Sequence, residues 1–557
     1  MILDYFDPSA PDDYECDICI IGAGPAGITI ANAFAGSRFN IVLLESGGLG
    51  SERATHALNE GESVGMAEFD PGLCRLRAFG GSSRLWGGGC VPLARLDLER
   101  RDWVPGSGWP MDFDELATWC GHARRIFGID SRHGIGDGSF ATGQLGDARP
   151  FGEEQAVDRI CYESPTRFQS RYTQLLEHAG NITLLLHANL VELAVADDAG
   201  RVQTARIASL GGRRGSVRAR QYVLAAGGIE NARLLLSSNS VQPEGLGNRH
   251  GQVGRYFMDH PRALSGHVVD GDFNVLVRPC IGEREHQRTP LYREISLADA
   301  TQRRLRLLNA RARPLPVTRA APAGLQALRD LRASFRAQPE NDDEGVEHDV
   351  QRALDTGLPT PPPQPMAASN GRRARLALCV GMHPGHVAGA IARKLRHRPV
   401  DRYSHVEVMG YFEQSPNPHS RITLGQSRDA LGMRKVRVDW RFTDLDYASY
   451  RTSATLLGEE AAQRCGGRFQ PAPWGCDPGL QPPVVGTAHH LGSTRMADRP
   501  EAGVVDRDCR VHGVDNLHVA GSSVFPTGGW AFPTFTIAAL GLRLADRRRT
   551  GRELGGL

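Results

Sequence analysis

Apolar positions in the first fifty residues follow a strand, turn, helix, strand order. One continuous apolar run lies near the start and another near the end of residues 16–48, CDICIIGAGPAGITIANAFAGSRFNIVLLESGG. Runs of this length predict buried strands, here at residues 17–21 and 40–44, and the segment between them predicts a glycine turn followed by a helix. The order predicts a βαβ unit, in which two parallel strands are joined by a crossover helix.

The turn of this unit carries glycines with the spacing G-x-G-x-x-G, at Gly22, Gly24 and Gly27. Gly22 permits the tight turn, Gly24 lets a pyrophosphate approach the backbone at the helix N-terminus, and Gly27 lets helix and strand pack closely. Glu45 ends the second strand at the distance from which an acid accepts hydrogen bonds from a ribose. Together these features predict a dinucleotide site. NAD and FAD domains share the motif, so the motif alone does not choose between them.

Two later segments predict further strands and helices of the same α/β region. The stretch RQYVLAAGGIENARLLLSSN contains an apolar strand at residues 222–225, the pair Gly227 and Gly228, and a helix. Near the end, NLHVAGSSVFPTGGWAFPTFTIAALGLRLAD contains a strand that ends at Ala520, then Gly521, a loop and a long apolar helix. A terminal strand and helix that return to the first domain are typical of FAD folds.

The middle of the chain alternates apolar and polar residues. The stretches HVEVMGYFEQSPNPHSRITL and KVRVDWRFTD have the period of half-buried antiparallel strands, which predicts a second region built on a large sheet. An irregular stretch at about 303–403 interrupts it. There GLQALRDLRASFRA predicts an amphipathic basic helix, and PENDDEG and LPTPPPQP predict exposed linker. The basic GAIARKLRHRP is typical of a solvated helix face, with contact to a membrane surface or a partner as the alternative.

Composition narrows the class of protein. A chain of 557 residues is too long for one compact core, so two or three structural regions are expected. The 65 basic and 63 acidic residues nearly balance, so the composition shows no excess of positive charge of the kind that binds nucleic acid. No run of about eighteen apolar residues predicts a transmembrane helix, and the amino terminus lacks the pattern of a secretory signal. The 11 cysteines are scattered, which indicates free thiols in a reducing compartment and a cytoplasmic location. Cys16 and Cys19 have C-x-x-C spacing, but they lie on a predicted strand and are expected to be buried there.

Motifs along nearly the whole chain resemble those of the glucose–methanol–choline (GMC) oxidoreductases, which are FAD flavoproteins, and in particular bacterial sugar and alcohol dehydrogenases. The resemblance rests on the glycine turn with Glu45 and on six further stretches, in the order of the family: FGGSSRLWGGG, VLAAGGIENARLLL, VGRYFMDHP, EQSPNPHSRITL, HHLGSTRM and VAGSSVFPTGG. It implies an α/β fold with a Rossmann-like FAD domain at 1–255 and 484–557. A substrate domain at 256–483, built on the antiparallel sheet, would contain the insert at 303–403.

The same resemblance implies where FAD would lie. The small residues from Gly80 to Gly88 would run along the isoalloxazine, because backbone has to approach a flat ring closely. Some relatives carry a histidine here that bonds covalently to the flavin; the matching position is Leu85, so non-covalent FAD is expected. The predicted FAD-binding residues are Gly22, Gly24, Pro25, Ala26, Gly27, Glu45, Ser46, Gly81, Ser82, Trp86, Gly87, Gly88, Val191, Ala226, Gly227, Gly521, Ser522, Pro533 and Thr534.

Two adjacent histidines, His489 and His490, stand in the stretch GTAHHLGSTRM. The family pattern H-x-x-G-[ST] places the acid–base role on His489, and oxidising an alcohol needs a group that titrates near neutrality to take the hydroxyl proton. A structural histidine bonded to backbone is the alternative for His489 and the favoured interpretation for His490. A metal site would need further ligands at workable spacing, none of which is nearby, so no metal is expected.

Phe532 complicates this prediction. Many relatives place a second polar residue, histidine or asparagine, at the position that here falls on Phe532. Losing one hydrogen-bond partner of the reacting oxygen costs about 2–4 kcal/mol of transition-state stabilisation. Three interpretations stay open: an apolar pocket around Trp86, Phe525, Trp530 and Phe535, a changed chemistry, or a polar partner supplied from elsewhere by Tyr256, His260 or Asn417.

The resulting expectation is an FAD-dependent oxidoreductase that removes hydride from the CH–OH group of a small or medium-sized alcohol, with apolar and natural-product alcohols included. The alternative is an FAD enzyme of the same fold with atypical chemistry, such as a lyase, a cyclase or a desaturating enzyme. A flavin-stabilised binding protein is a third hypothesis, and an NAD-dependent dehydrogenase would need a second nucleotide motif. The expected partners are a small-molecule substrate and an electron acceptor that is oxygen, a quinone or a protein, with no nucleic acid.

Overall fold

The computed structural model describes residues 1–66, 69–129, 155–281, 291–319, 321–336, 342–356, 370–395 and 403–549. In chain order its strands are β1 Ile2–Asp4, β2 Asp13–Ile21, β3 Ile41–Leu44, β4 Gly61–Val64, β5 Gly89–Cys90, β6 Ala156–Glu163, β7 Ile182–Leu186, β8 Asn189–Val195, β9 Val202–Ala208, β10 Arg214–Leu224, β11 Arg262–Val269, β12 Leu291–Leu297, β13 Ala310–Thr318, β14 Tyr403–Phe412, β15 Arg421–Arg428, β16 Arg434–Asp439, β17 Arg468–Pro471 and β18 Leu517–Val519.

The α-helices alternate with these strands and surround the sheets. They are α1 Pro25–Phe34, α2 Arg53–His56, α3 Arg95–Leu98, α4 Phe113–Phe127, α5 Phe168–His178, α6 Gly227–Ser237, α7 Phe273–Ile281, α8 Asp299–Leu305, α9 Ala323–Arg336, α10 Asp342–Thr356, α11 Asn370–Met382, α12 Pro384–Leu395, α13 Asp444–Arg464, α14 Pro473–Cys476 and α15 Pro533–Arg549. Short 3₁₀ turns lie at Ala57–Asn59, Gly81–Arg84 and Ser522–Val524.

The first sheet has the order β1-β7-β3-β2-β10-β9-β8, and β18 pairs with the carboxyl end of β10. Neighbouring strands are parallel across the five-strand part β1-β7-β3-β2-β10. Strands β9 and β8 add an antiparallel edge next to β10. Its central strands are continuous apolar runs because helices cover both faces, with Ile20, Leu43 and Leu224 fully buried. The four strands predicted near residues 17–21, 40–44, 222–225 and 520 are confirmed as parts of this sheet.

The second sheet is antiparallel and has the order β17-β11-β14-β13-β12-β6-β5. The alternation predicted for β14 is confirmed, since Val406, Val408 and Phe412 are buried in a core beneath the sheet and Glu407, Met409 and Tyr411 project from the opposite face. Helix α13 covers the buried face, starting at a capping box in which Thr443 and Asp446 exchange hydrogen bonds. The fold class predicted from the sequence, a Rossmann-like region with a large antiparallel sheet, is therefore confirmed.

The sequence-based description of residues 303–403 as an irregular insert needs correction at its start. Strand β13 lies inside this stretch and pairs with β12 and β14 in the middle of the second sheet. Its sequence, ARARPLPVT, hides the strand because arginine and proline occupy positions where β-branched residues are usual. Strands β5 and β6, from the amino-terminal part of the chain, also belong to this sheet. The division at 255 and 484 stays a prediction.

The insert that follows β13 is helical. The predicted amphipathic helix is confirmed as α9, whereas the acidic stretch expected to be linker forms the first turn of α10 from Asp342 onward. Residues 339–341 and the proline-rich stretch 358–365 lie outside the described residues, and 389–395 of the basic stretch lie in α12. Helix α10 packs on the amino-terminal region, where Glu347 accepts a hydrogen bond from Arg84 at 2.6 Å and Val346 and Val350 contact Leu76.

Cys16 and Cys19 are buried on β2, as expected for strand cysteines, and burial raises the pKa of the Cys16 thiol to about 12. None of the helices described is both long enough and apolar enough to cross a bilayer.

Candidate active site

The glycine turn between β2 and α1 has the geometry that its motif predicts. Gly22 has φ +105°, and a Cβ there would lie 2.7 Å from the carbonyl oxygen of Ala225, so the turn presses against the end of β10. A Cβ on Gly27 would lie 1.9 Å from the carbonyl oxygen of Gly22, which shows how closely helix and turn pack. Gly24 is different, because no atom lies within 4 Å of the position of its Cβ. The backbone at Gly24 is therefore open to a ligand at the N-terminus of α1.

Glu45 lies beside this opening at the end of β3. Its Oε2 accepts the N–H of Ala23 and its Oε1 accepts the N–H of Gly47, both at 3.0 Å. Burial raises the pKa of Glu45, while these backbone donors and Arg77 oppose the rise. The carboxylate is held rigidly at the wall of a cavity, with lone pairs left to accept further hydrogen bonds.

One cavity is lined both by this turn and by His489 and His490. The predicted FAD-binding residues that line it are Gly22, Gly24, Pro25, Ala26, Glu45, Ser46, Gly81, Ser82, Ala226, Gly227, Gly521, Ser522 and Pro533. The predicted residues outside its wall are Gly27, Trp86, Gly87, Gly88, Val191, Thr534 and Phe532. Trp86 instead packs into the core against Phe127 and Phe168, with ring centroids 5.6 and 6.1 Å away.

The loop expected to follow the flavin packs directly on the dinucleotide turn. The N–H of Gly80 donates to the carbonyl of Ala23 at 2.9 Å, and a Cβ on Gly81 would lie 3.1 Å from Cα of Gly24. Leu85, at the position where some relatives carry a histidine, packs against the apolar cluster of Leu76, Val346 and Val350. The aliphatic side chain of Leu85 has no nucleophilic group that could form a covalent bond to a flavin.

A buried charge cluster along the cavity escaped the sequence analysis. Glu230 binds Arg75 at 3.0 Å, Arg77 at 2.9 Å and Arg233 at 3.0 Å, and Arg233 also binds Asp429 at 2.5 Å. Burial opposes ionisation of Glu230, but the three guanidinium groups hold the pKa of this carboxyl far below its ordinary value. Three arginines against two carboxylates leave one net positive charge in this cluster, while Glu45 contributes a further carboxylate elsewhere on the same wall. Glu230 stood within the quoted motif VLAAGGIENARLLL, but Arg75, Arg77 and Asp429 belong to no motif and are far away in the chain.

His489 lies in the wall of this cavity, in a segment whose backbone N–H groups surround the carboxylate of Asp259. The N–H groups of Thr487, Ala488 and His489 donate to the Asp259 carboxylate at 3.2, 3.1 and 2.8 Å, and the N–H of His260 donates at 2.6 Å. Ala488 has φ +58°, a left-handed conformation that is uncommon for a residue with a side chain and that clusters at functional sites. Burial disfavours the Asp259 carboxylate, yet the adjacent histidines and the backbone donors hold its pKa below the ordinary value.

The ring of His489 makes two contacts through Nδ1. Thr487 Oγ1 lies 3.0 Å from it and His260 Nδ1 lies 3.1 Å from it. The Thr487 hydroxyl also lies 2.9 Å from the carbonyl of His260 and 3.1 Å from an Asp259 oxygen, both of which only accept, so its own proton is directed there. Thr487 Oγ1 is thus an acceptor toward His489, which favours the tautomer of His489 with the proton on Nδ1 and a free lone pair on Nε2.

Both histidines of this pair are neutral near pH 7. Burial lowers the pKa of His489 to about 3, with the neighbouring His260 adding to the effect and Asp259 opposing it. Burial likewise lowers the pKa of His260 to about 4, against the influence of Asp259, and its Nε2 faces the backbone of Gly528. His489 is therefore in the neutral state that can accept a proton, but its pKa lies well below the near-neutral value expected from the sequence.

His490 points away from its neighbour and into the core. Its ring lies 5.7 Å from Phe257 in a stacked arrangement and 5.9 Å from Phe69 edge-on, and its carbonyl accepts the Ser522 hydroxyl at 2.6 Å. Burial lowers the pKa of His490 to about 4. These contacts are those of a structural histidine.

The ring of Phe532 packs edge-on against the ring of His489, with the two ring centroids 5.9 Å apart. Beyond Phe532 lies Arg311, whose guanidinium is 4.7 Å from the Phe532 ring and 3.8 Å from the ring of Tyr411. Arg311 pairs with the fully buried Glu294 at 2.7 Å. Burial opposes its charge, but Glu294 keeps the pKa of Arg311 above its ordinary value.

The other aromatic and polar candidates have separate positions. Phe525 and Phe535 are buried in the main core, and Trp530 donates its indole N–H to Ser296 at 2.6 Å. Tyr256 stacks against the guanidinium of Arg495, and Asn417 binds backbone of residues 419 and 441. Of the three polar residues considered as partners of His489, the structure brings His260 into direct contact with it.

One cavity is thus lined by a glycine turn of the dinucleotide-binding type, by a cluster of buried ion pairs and by a neutral histidine. Residues 416–541 match the family model described as GMC oxidoreductase, which covers the carboxyl-terminal domain of that family. This part of the chain is therefore similar to the carboxyl-terminal domain of the GMC oxidoreductases.

Relatives in sequence include a fructose dehydrogenase large subunit from Gluconobacter japonicus, 25% identical over 59% of this chain and 47% of the relative. A 2-methyl-1,2-propanediol dehydrogenase from Mycolicibacterium austroafricanum is 26% identical over 60% of this chain and 49% of the relative. The match thus spans about half the length of these two proteins. A 6'''-hydroxyparomomycin C oxidase from Streptomyces lividus is 24% identical over 95% of this chain and 91% of the relative.

Solved structures share the fold. A formate oxidase superposes with a TM-score of 0.54 at 15% identity, covering 98% of this chain and 100% of that one. A pyridoxine 4-oxidase from Mesorbium loti superposes with a TM-score of 0.52 at 16% identity, covering 96% and 99%. These similarities extend over the amino-terminal region, which the family model does not cover.

Proposed function

We propose that this protein oxidises a CH–OH group of a hydroxylated small molecule, with His489 as the acid–base residue. The observation that carries the proposal is the position of His489, which is neutral and lies in the wall of the cavity with Nδ1 bonded and Nε2 free of described partners. A base placed this way accepts the hydroxyl proton while hydride leaves the adjacent carbon.

The residues along the cavity fit FAD. Open space at Gly24 would admit the pyrophosphate to the α1 N-terminus, Glu45 would accept hydrogen bonds from the adenosine ribose, and the net positive cluster around Glu230 would favour the anionic diphosphate. FAD, when bound, supplies the acceptor for the hydride. The loop at Gly81 would lie against the ring system, and Leu85 supports a non-covalent complex.

His260 would orient the base. Since Thr487 Oγ1 accepts the Nδ1 proton of His489, the facing Nδ1 of His260 is unprotonated, and its own proton lies on Nε2 toward the Gly528 backbone. This arrangement keeps Nε2 of His489 as an acceptor. His260 is therefore a positioning residue that orients the ring of His489.

The residues considered for an apolar substrate cage do not all face a pocket. Two of them, Phe525 and Phe535, are buried in the core. Arg311 and Glu294 are buried beyond the Phe532 ring and pair with each other, and neither lines the described cavity. A sugar-like or otherwise polyhydroxylated substrate is therefore proposed from the relatives, which include a fructose dehydrogenase and a 2-methyl-1,2-propanediol dehydrogenase.

A second candidate function is an FAD-dependent reaction without net alcohol oxidation, such as a lyase or cyclase step. The specific observation in its favour is Phe532, which contacts His489 where relatives place a histidine or asparagine and which can neither donate nor accept a proton.

The two functions are distinguished by anaerobic reduction of the bound flavin. The holoprotein is mixed without oxygen with pooled sugars, aliphatic alcohols and aryl alcohols, and the flavin absorption band is followed. Bleaching by a pool in the parent protein, slowed in His489→Ala by about two to four orders of magnitude, supports the oxidoreductase. A bound flavin that none of the pools bleaches, with identical behaviour of His489→Ala, contradicts it and favours the second function. His250→Asn serves as the control, because this histidine is exposed and does not line the cavity.

A further inference from the structure

A second group of histidines lies on the second sheet, away from His489. His267 on β11 and Glu407 on β14 are directly paired across the two strands, and His405 precedes Glu407 by two residues. Positions two apart on a strand face the same side, so all three side chains project from one face of the sheet. Seven residues of extended chain, or roughly 20 Å, separate His267 from His260.

The three side chains present nitrogen and oxygen atoms to a common point. One ligand atom from each lies within 4.8 Å of the other two, and the imidazole rings of His267 and His405 are 5.0 Å apart, edge to face. Nδ1 of His267 is buried and has no hydrogen-bond partner among the described residues. A buried polar atom without a partner is destabilising, so this nitrogen is available to a ligand.

The protonation of His405 also suits a ligand. The hydroxyl of Ser404 donates to the carbonyl of Val317 at 3.1 Å, and the same oxygen lies 3.0 Å from Nδ1 of His405. Because the Ser404 proton is already used, this oxygen accepts the Nδ1 proton of His405, which leaves the Nε2 lone pair free. Metal-binding histidines are commonly oriented in this way, by a hydrogen bond from the ring nitrogen that does not bind the metal.

We propose that His267, His405 and Glu407 bind one divalent transition-metal ion of the Zn²⁺ type. Two imidazoles and one carboxylate form a donor set that Zn²⁺ accepts, with water in the fourth position of a tetrahedron. The described ion pairs do not involve Glu407, so its charge is available to the cation. The site is distant from the substrate cavity and stands where β14 begins, directly after the helical insert. It would tie β11 to β14 at the root of that insert.

The test measures zinc on the intact, FAD-loaded protein. After incubation with Zn²⁺ and dialysis, elemental analysis is expected to give one equivalent per chain, and isothermal titration gives the affinity. His405→Ala and Glu407→Gln should abolish retention, and Ser404→Ala should weaken binding by about tenfold or more because the ring is no longer oriented. His386→Ala, which removes one ring of a histidine pair in the insert, is the matched control and should bind like the parent.

The site is supported if zinc retention is lost in His405→Ala and Glu407→Gln, is weakened in Ser404→Ala and is unchanged in His386→Ala. The proposal is overturned if the parent retains no zinc, or if His405→Ala and Glu407→Gln retain as much as the parent. Flavin content and the far-ultraviolet circular dichroism of each variant show that it is folded. His405 and Glu407 are half-buried, so the smaller or equally sized replacements fit there.

Discussion

The Nδ1 atoms of His260 and His489 lie 3.1 Å apart, although the two residues are 229 positions apart in the chain. At this distance one nitrogen carries a proton and the other does not, so the two rings share one hydrogen bond and their protonation states are linked. Thr487 decides which ring donates, because its oxygen also accepts from His489. His489 is therefore the donor of this hydrogen bond and His260 the acceptor, and the free lone pair of His489 is at Nε2.

Replacing His260 tests this linkage. In His260→Ala, flavin reduction should slow by about ten- to a hundredfold, since the base loses a partner that orients it but keeps Thr487. The pKa of His489 should rise toward its ordinary value, because His260 is a cause of its depression. The acid limb of the kcat/KM profile should then move to higher pH. A slower enzyme with an unmoved acid limb would mean that His260 acts only through packing.

Buried neutral histidines make the fold sensitive to acid. The pKa values of His260 and His490 are lowered to about 4 by burial, whereas an unfolded histidine titrates near its ordinary value of 6.5. As pH falls below 6.5 the unfolded chain binds protons first, so the free energy of unfolding falls, by up to about 1.4 kcal/mol per pH unit for each histidine, until pH approaches 4. Above 6.5 these two residues add no pH dependence.

Denaturant titrations at several pH values between 4.5 and 7.5 measure this slope. His490→Asn should give a shallower slope by about one proton, whatever its effect on stability at neutral pH. An unchanged slope in that variant would show that His490 is not neutral in the folded protein.

Phe532→Asn is expected to speed alcohol-driven flavin reduction. The amide would restore a hydrogen-bond partner for the reacting oxygen, and such a partner is worth about 2–4 kcal/mol in other enzymes, so a rise of tenfold or more is expected even from imperfect geometry. Phe532→Leu, which removes the ring without adding a polar group, is the control. Equal rates in both variants would count against Phe532 as the second catalytic position.

Gly24→Ala should separate cofactor binding from folding. Since the new methyl group meets no protein atom within 4 Å, the apoprotein is expected to unfold at the same denaturant concentration as the parent. The methyl group would occupy the space proposed for the pyrophosphate, so the purified variant should contain less FAD. Gly121→Ala, on α4 and equally open, is the control and should keep its flavin. Full flavin content in Gly24→Ala would contradict the proposed position of the pyrophosphate.

Breaking the Arg311–Glu294 pair should destabilise the fold strongly. Glu294→Gln leaves a buried guanidinium without its counter-charge, and such changes cost about 3–5 kcal/mol. The control is Glu192→Gln, which breaks an ion pair with the exposed Arg206 and should cost about 1 kcal/mol or less. Similar costs for the two variants, measured by denaturant titration, would show that the buried pair is hydrated.

The sequence by itself determined the βαβ unit, and it predicted the dinucleotide site and the acid–base role of His489 that are proposed here. Those features are local: a glycine spacing, an apolar run and a short histidine motif each specify backbone conformation over a few residues. The same holds for the alternation that predicted β14 and for the amphipathic helix α9.

Only the tertiary structure decided how distant residues meet. Strand β13 was hidden because its pairing with β12 and β14, rather than strand propensity, stabilises a segment rich in arginine and proline. His260 with His489, the arginines around Glu230, and His267 with His405 come together through sheet order and crossover connections, which a linear pattern does not record. The contact that orients the proposed base, and the one that forms the proposed metal site, are therefore products of topology rather than of any motif.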